Sequence, residues 1–246
     1  MDLSKNTKIA RGKPAEFGQE IIKRRYRLTK NRVSLNNKLI LDFGCGNGAQ
    51  TVEFFHESCK IIAVDIAFSE VKVLSQYIQY NCINNIIPII FDGFHLPLSS
   101  NSIDIILSYE VLEHVEDESL VLKELYRVLK SKGEMILSVP NKGWIFETHG
   151  AYLPLLPWNR IPFFSWLPKR IHKKFAKARI YRKRDIKILL LQHGFEIVNL
   201  QYITAPMDVI NNLFLKKFLR STIFRGDNTL FTFLATSILV HARKSL

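Results

Sequence analysis

The sequence predicts an α/β chain built on a doubly wound, mostly parallel sheet. Three observations carry that expectation. Between residues 38 and 141, short apolar runs alternate with stretches of helical spacing, the pattern of repeated strand–helix–strand units. The first run leads into Asp42-Phe43-Gly44-Cys45-Gly46-Asn47-Gly48, with three glycines in five residues. Such a turn lets the backbone bend sharply and present amide N–H groups to a ligand. Acidic residues then recur where the following runs end, and ligands bind such sheets at the carboxyl ends of the strands.

Taken in order, the apolar runs place strands at 38–43, 61–65, 86–91, 103–109 and 134–139. Helical spacing places helices at 51–57, 69–80 and 117–130, the last closed by Gly133 as a C-cap. Further on, a helix at 184–193 closed by Gly194 precedes a sixth strand at 195–204 and a seventh at 229–242. A chain of 246 residues suits one such domain with an insertion. The expected layout is a basic helical arm over 1–37 and a domain over 38–246, interrupted by a lid at about 141–180.

Charge divides the chain the same way. The total is +13, but residues 1–38 carry +8, residues 39–140 carry −8 and residues 141–246 carry +13. A hydrophobic content of 47% excludes a disordered basic tail protein. Three cysteines without a CxxC pair predict a reducing compartment. Residues 1–32 are polar and basic, unlike a signal peptide. The longest late apolar run, 231–240, is far short of the roughly 20 residues a spanning helix needs. The expected setting is cytoplasmic, with peripheral contact to a membrane as a variant of it.

Four strand ends bear the functional signal. Asp65 stands 21 residues beyond Gly44, the spacing at which a carboxylate reaches ribose hydroxyls. Asp92-Gly93 closes the third strand and Glu110 the fourth. Gly44, Gly46 and Ala49 also satisfy the general dinucleotide fingerprint, so the loop by itself is unspecific. Four strand ends in register are more telling.

These residues resemble the class I S-adenosylmethionine (SAM) dependent methyltransferases, and within them the type 11 group that includes the O-methyltransferases of ubiquinone biosynthesis. The matching text is LDFGCGNG (41–48), VDIAFSEV (64–71), DGFHLPL (92–98), SIDIILSYEVLEHVED (102–117) and LKELYRVLKSKGEMILSVPN (122–141). The resemblance implies SAM as cosubstrate and a last strand running antiparallel between the fifth and sixth. It implies that Gly44, Cys45, Gly46 and Gly48 pack on the methionine part of SAM, with Asp42 behind them. Asp65 would hold the ribose hydroxyls, Asp92 the adenine amino group and Gly93 the ring. A cationic cosubstrate suits a segment of net charge −8.

Methyl transfer from a sulfonium needs alignment, plus a base when the acceptor is a hydroxyl. Glu110, Glu113 and His114 fall on one face if the chain is helical there. His114 is then a candidate base, and a divalent metal held by the three is a less favoured use of the set. The plainer reading makes them a helix start that orients loops. His149 is a second candidate base, or a histidine capping its loop. Tyr126 and Lys130 mimic a dehydrogenase pair, but Tyr126 shares the apolar face of Leu122, Leu125 and Leu129 and reads as core.

The flanks concern the acceptor. Residues 144–168 hold Trp144, Trp158 and Trp166 among Leu, Phe and Pro, and residues 169–187 follow with ten basic side chains and one acid. An aromatic lid above a basic helix suits a small or lipid-like acceptor with an anionic end, or an anionic membrane surface. Residues 213–224 read as an amphipathic helix with a basic flank, or as a helix covering the sheet with its lysines solvated. Nucleic acid is the weaker partner: Ser108-Tyr109-Glu110 stands where an N-P-P-Y tetrapeptide would mark base methylation, and no cysteine is placed to attack a pyrimidine. A non-catalytic adaptor on the same fold is the third reading, and the intact glycine loop and Asp65 weigh against it.

Overall fold

The structure is a computed structural model that describes residues 19–146, 163–168 and 178–245. A first helix, α1 (Glu20–Lys30), precedes the alternating segment. The strands are β1 (Leu39–Phe43), β2 (Lys60–Asp65), β3 (Ile86–Ile90), β4 (Ile103–Tyr109), β5 (Leu129–Pro140), β6 (Phe195–Thr204), β7 (Asn228–Thr229) and β8 (Ala235–Lys244). Helices α2 (Phe68–Tyr80), α3 (Glu118–Val128), α4 (Lys183–Gln192) and α5 (Leu213–Ser221) connect them.

The strands form one sheet in the order β3-β2-β1-β4-β5-β8-β6-β7. Strands β1 to β5 are mutually parallel, and β8 runs antiparallel between β5 and β6, as the resemblance implied. The eighth strand beyond the expected seven is the two-residue β7 on the outer edge of β6. Apolar side chains fill both faces of the sheet. Ile21, Ile22 and Leu28 of α1 and Leu74 of α2 share one core with Ile40, Ile61 and Ile105; Leu122, Leu125, Ile186 and Leu190 of α3 and α4 share the other with Leu41, Ile106 and Leu137. The chain order reverses between β1 and β4, so a cleft opens at their carboxyl ends.

Several local expectations are corrected. The helix expected at 51–57 is a single 3₁₀ turn, Thr51–Phe54, because so short a segment makes too few hydrogen bonds to offset its nucleation cost. Gly133 is not a C-cap. Helix α3 ends at Val128 and β5 starts at Leu129; Ile103 faces Leu129 while Ile105 faces Glu134, so residues 130–133 bulge, and Lys132 rather than Gly133 takes the positive φ of 61°. Lys130 therefore lies in β5 rather than in the last turn of α3, and it pairs with Asp104 at 2.8 Å. Tyr126 does pack as core, edge-on to Phe195. The last strand begins at Ala235, not 229, because residues 228–234 form β7 and a 3₁₀ turn that leaves Leu230 and Phe231 exposed.

Helix α5 has no buried residue, so it does not cover the sheet. Leu213 is 78% and Phe214 83% exposed, with Phe218 and Ile223 beside them. Among the described residues no helix is long and apolar enough to cross a membrane. Most of the expected lid, including His149 and Trp158, lies outside the described residues, as do residues 1–18 of the arm.

Candidate active site

The turn after β1 is built so that only glycine fits. Gly44 has φ +75°, and a Cβ there would sit 2.4 Å from Cγ2 of Val111, the residue after Glu110 at the end of β4. The glycine loop and the β4 loop thus touch directly, which brings two strand ends to one cleft. The cleft has a volume of about 490 Å³ and is lined by Gly44, Asp65, Asp92, Gly93, Glu110 and His114 among others. That size lies within the range of small-molecule sites. Its rim is fixed in part by Asp117, whose carboxylate caps α3 by accepting from the Ser119 and Leu120 amides. Such a cap contributes about 1 kcal/mol.

Asp65 is held in place by backbone. Its Oδ2 accepts from the Gly46 amide at 2.8 Å and its Oδ1 from the Ala67 amide at 2.9 Å. Each carboxylate oxygen has two acceptor positions, so both oxygens keep one for a ligand hydroxyl. Asp92 is fixed by the amides of Phe94 and His95, both 2.8 Å from Oδ1, and those bonds hold its carboxyl below the usual range. It is both the turn former and a wall of the cleft. Asp42 and Cys45 lie beneath the loop: Asp42 Oδ2 accepts from the Thr51 hydroxyl at 2.6 Å, and burial pushes its pKa up to about 6. Burial also raises the Cys45 thiol, so it is not a nucleophile. The space beside Gly46 is open, with nothing within 4 Å of where a Cβ would stand. Residues that can hold SAM are therefore together: a donor-rich loop, an oriented carboxylate with spare acceptor capacity, and apolar walls. The walls are Ile66 and Phe94, 66% and 59% exposed. The sequence reading did not single them out, although an isoleucine immediately after Asp65 was a visible signal.

The catalytic set differs from the helical face expected for it. Glu110 has φ +58°, and the chain at 112–114 is a turn, so Glu113 points inward and His114 outward. Glu113 is fully buried; its pKa is raised well above the usual range by burial and by the neighbouring Glu110 charge. Glu110 faces Arg25 of α1, whose Nη2 lies 2.9 Å from Glu110 Oε1 with both side chains 6% exposed. The Ser138 hydroxyl donates to the same oxygen at 3.1 Å. His114 is half-exposed on the cleft, its Nε2 3.9 Å from Glu113 Oε1. Among the described residues no group of three or more His, Cys, Asp or Glu side chains is placed to hold a metal ion. Arg25 stands on Glu110 instead.

An open sheet in this strand order, with a cleft at the β1/β4 reversal walled by a glycine loop and the β2 acid, defines the class I SAM-dependent methyltransferase fold. It is shared with a SAM-dependent methyltransferase from Aquifex aeolicus (TM-score 0.62, 14% identity, 99% of this chain and 98% of that one). It is shared also with the [4+2]-cyclase SpnF (TM-score 0.63, 13% identity, 92% and 82%), so the fold alone does not fix the reaction. Within that class, residues 41–137 match the methyltransferase domain family Methyltransf_11, a group whose cosubstrate is SAM. A ubiquinone biosynthesis O-methyltransferase of Bartonella tribocorum is 32% identical over 169 residues, 67% of this chain and 62% of that one. A probable SAM-dependent methyltransferase of Mycobacterium tuberculosis is 26% identical over 172 residues, 68% and 60%. The chain thus spans about 62% of the length of the first of these relatives.

Proposed function

We propose that the protein transfers a methyl group from SAM to an oxygen of a small or lipid-like acceptor. The observation that carries this reading is the meeting of Gly44, Asp65, Asp92 and Glu110 in one cleft at four neighbouring strand ends. Bound SAM supplies an electrophilic methyl group on a sulfonium. The loop of Gly44, Cys45, Gly46 and Gly48 holds the methionine end, Asp65 accepts from the ribose hydroxyls, and Asp92 with Gly93 faces the adenine between the apolar walls of Ile66 and Phe94. Glu110, neutralised in part by Arg25, keeps the acid-lined side of the cleft compatible with a cation. His114, exposed to the cleft beside Glu113, would take the acceptor's proton as the methyl passes from sulfur to oxygen, the S–CH3 bond breaking as the O–CH3 bond forms and the thioether S-adenosylhomocysteine leaving.

Oxygen as the acceptor atom rests on the likeness to ubiquinone biosynthesis O-methyltransferases. A membrane as the source of the acceptor rests on the exposed Leu213, Phe214 and Phe218 of α5 alongside Lys216 and Lys217.

Calorimetric titration with SAM, followed by a labelled-methyl assay on separated lipid and RNA fractions, tests the reading. Label is expected in lipid; label in RNA alone replaces the acceptor class, and saturable SAM binding without any transfer favours the adaptor. His114→Ala is expected to lower the rate 10²- to 10⁴-fold with SAM affinity retained. An undiminished rate removes His114 from the chemistry. Sedimentation with phosphatidylserine vesicles at low salt is expected to carry the protein down, and high salt to release it; protein left in the low-salt supernatant ends the membrane reading.

A further inference from the structure

A second cavity, of about 460 Å³, opens one strand further along the same edge of the sheet, beyond the carboxyl end of β5. Its floor is rigid. Asn141, the residue after β5, donates through Nδ2 to the carbonyls of Thr232 and Ala235 at 2.7 and 2.8 Å, and its Oδ1 accepts from the Gly143 amide at 3.0 Å. A Cβ on Gly143 would meet the Thr232 hydroxyl at 1.9 Å, so this turn closes only with glycine. Trp166 is anchored above it by an indole N–H bond to the Gly143 carbonyl at 3.3 Å.

Four cationic side chains, Lys142, Arg182, Lys183 and Arg184, line this space together with Trp166 and Tyr202. No acidic side chain is among the described lining residues. Lys142 is only 7% exposed and donates to the Leu167 carbonyl at 3.1 Å. The Lys183 ammonium is held 3.8 Å from the centre of the Tyr202 ring. Burial lowers the pKa of Lys183, a cost that a bound anion would relieve. Arg182, Lys183 and Arg184 begin α4, where the helix dipole favours negative rather than positive charge.

We propose that this cavity is an anion subsite that binds a phosphate or diphosphate ester group of the acceptor. A phosphate ester carries between one and two negative charges and a diphosphate more, which suits the three successive cations Arg182, Lys183 and Arg184 better than a single carboxylate charge does. Arginine forks and short-range lysines are the side chains such oxygens select. The subsite is also joined to the SAM cleft. Arg179 donates to the carbonyls of Val115 and Glu116 on the rim of that cleft, and three residues later Arg182 lines the second cavity, a span of at most ~10 Å of extended chain. An acceptor anchored here by its anionic end can extend its reacting end toward the methyl donor. The term acceptor rests on the methyltransferase reading; anion binding itself does not.

The test is calorimetric titration of the full chain with inorganic pyrophosphate, with SAM titrated in parallel. Saturable pyrophosphate binding is expected, weakened at least tenfold in Arg182→Gln/Arg184→Gln and more mildly in Lys183→Gln, while SAM affinity stays within twofold and reports that each variant is folded. No saturable binding, or equal binding by the double variant, overturns the subsite and leaves the methyltransferase reading standing if SAM still binds. Failure of SAM binding alone strikes the earlier reading and leaves the anion result legible. Equal competition by a single-stranded RNA oligomer in wild type and double variant marks diffuse electrostatics and also overturns it. Vesicles of phosphatidic acid in phosphatidylcholine separate the sources: sedimentation blocked by pyrophosphate supports a lipid-borne phosphate, and pyrophosphate binding without sedimentation supports a soluble ester.

Discussion

Two basic stretches of similar composition do opposite things in this molecule. Helix α1 carries Lys23, which is exposed, and Arg24, Arg25, Arg27 and Lys30, each of which meets a distant part of the chain. Arg24 donates to the carbonyls of Thr204, Ala205 and Phe224; Arg25 pairs with Glu110, Arg27 with Asp227 at 2.6 Å and Lys30 with Glu57 at 2.8 Å. At the start of α4, Arg182, Lys183 and Arg184 have no acid among the described residues lining the cavity they face. The first set completes the fold; the second is left for something that arrives later. Net charge cannot tell these apart, because the distant acids that face α1 come from residues 57, 110 and 227.

The largest expected effect that would break the contrast is at Arg25. Arg25→Ala leaves the Glu110 and Glu113 carboxyls buried beside each other without their cation, and denaturant unfolding is expected to show a loss of roughly 3–5 kcal/mol. A loss under about 1 kcal/mol would mean that α1 is as dispensable as a solvated face.

Asp42 sharpens the comparison from the acidic side, since it is buried against a hydroxyl rather than a cation. Its folded pKa of about 6 lies above the ordinary 3.8, so the stability linked to its proton is complete below the lower value and lost as pH rises through the upper one. Asp42→Asn is therefore expected to be more stable than the parent by roughly 2–3 kcal/mol at pH 8 and equal to it near pH 4, measured by unfolding without SAM. A pH-independent difference would place the effect in packing instead.

A smaller effect is expected at Arg27, whose side chain is 41% exposed; Arg27→Ala should cost about 0.5–1 kcal/mol, fading in high salt. The smallest, and of opposite sign, is at α4. Arg182→Gln/Arg184→Gln removes cations from a helix start and should leave the unfolding free energy unchanged or raise it by about 0.3–1 kcal/mol. Destabilisation by more than that would show that these arginines, like those of α1, belong to the fold.

What the sequence made legible follows the same line between local and distant causes. Strands β4 and β6 were expected over 103–109 and 195–204 and end there. Asp65 and Gly44 were legible as strand-end residues and meet in the cleft. The helical face of Glu110, Glu113 and His114 was not, because the positive φ of Glu110 turns the chain out of the helix and sends one acid into the core. Arg25 stood within a run of basic residues, with nothing to separate it from its neighbours until Glu110, 85 positions later, was brought against it. The cavity behind Asn141 needed the contact of β5 with the turn before β8, which no local pattern encodes.

The reach of Arg25 bears on what counts as a transplantable unit. The stretch recognisable as the family's domain starts at residue 41, yet a charge that its carboxylates lean on is supplied from α1, upstream of that border, and Thr29 of the same helix meets the Tyr109 hydroxyl at 2.7 Å. A graft or fusion cut at the recognisable border would carry Gly44, Asp65, Asp92 and Glu110 and still lack the guanidinium that faces Glu110. For this chain the smallest inheritable cassette is larger than the part by which its kinship is detected.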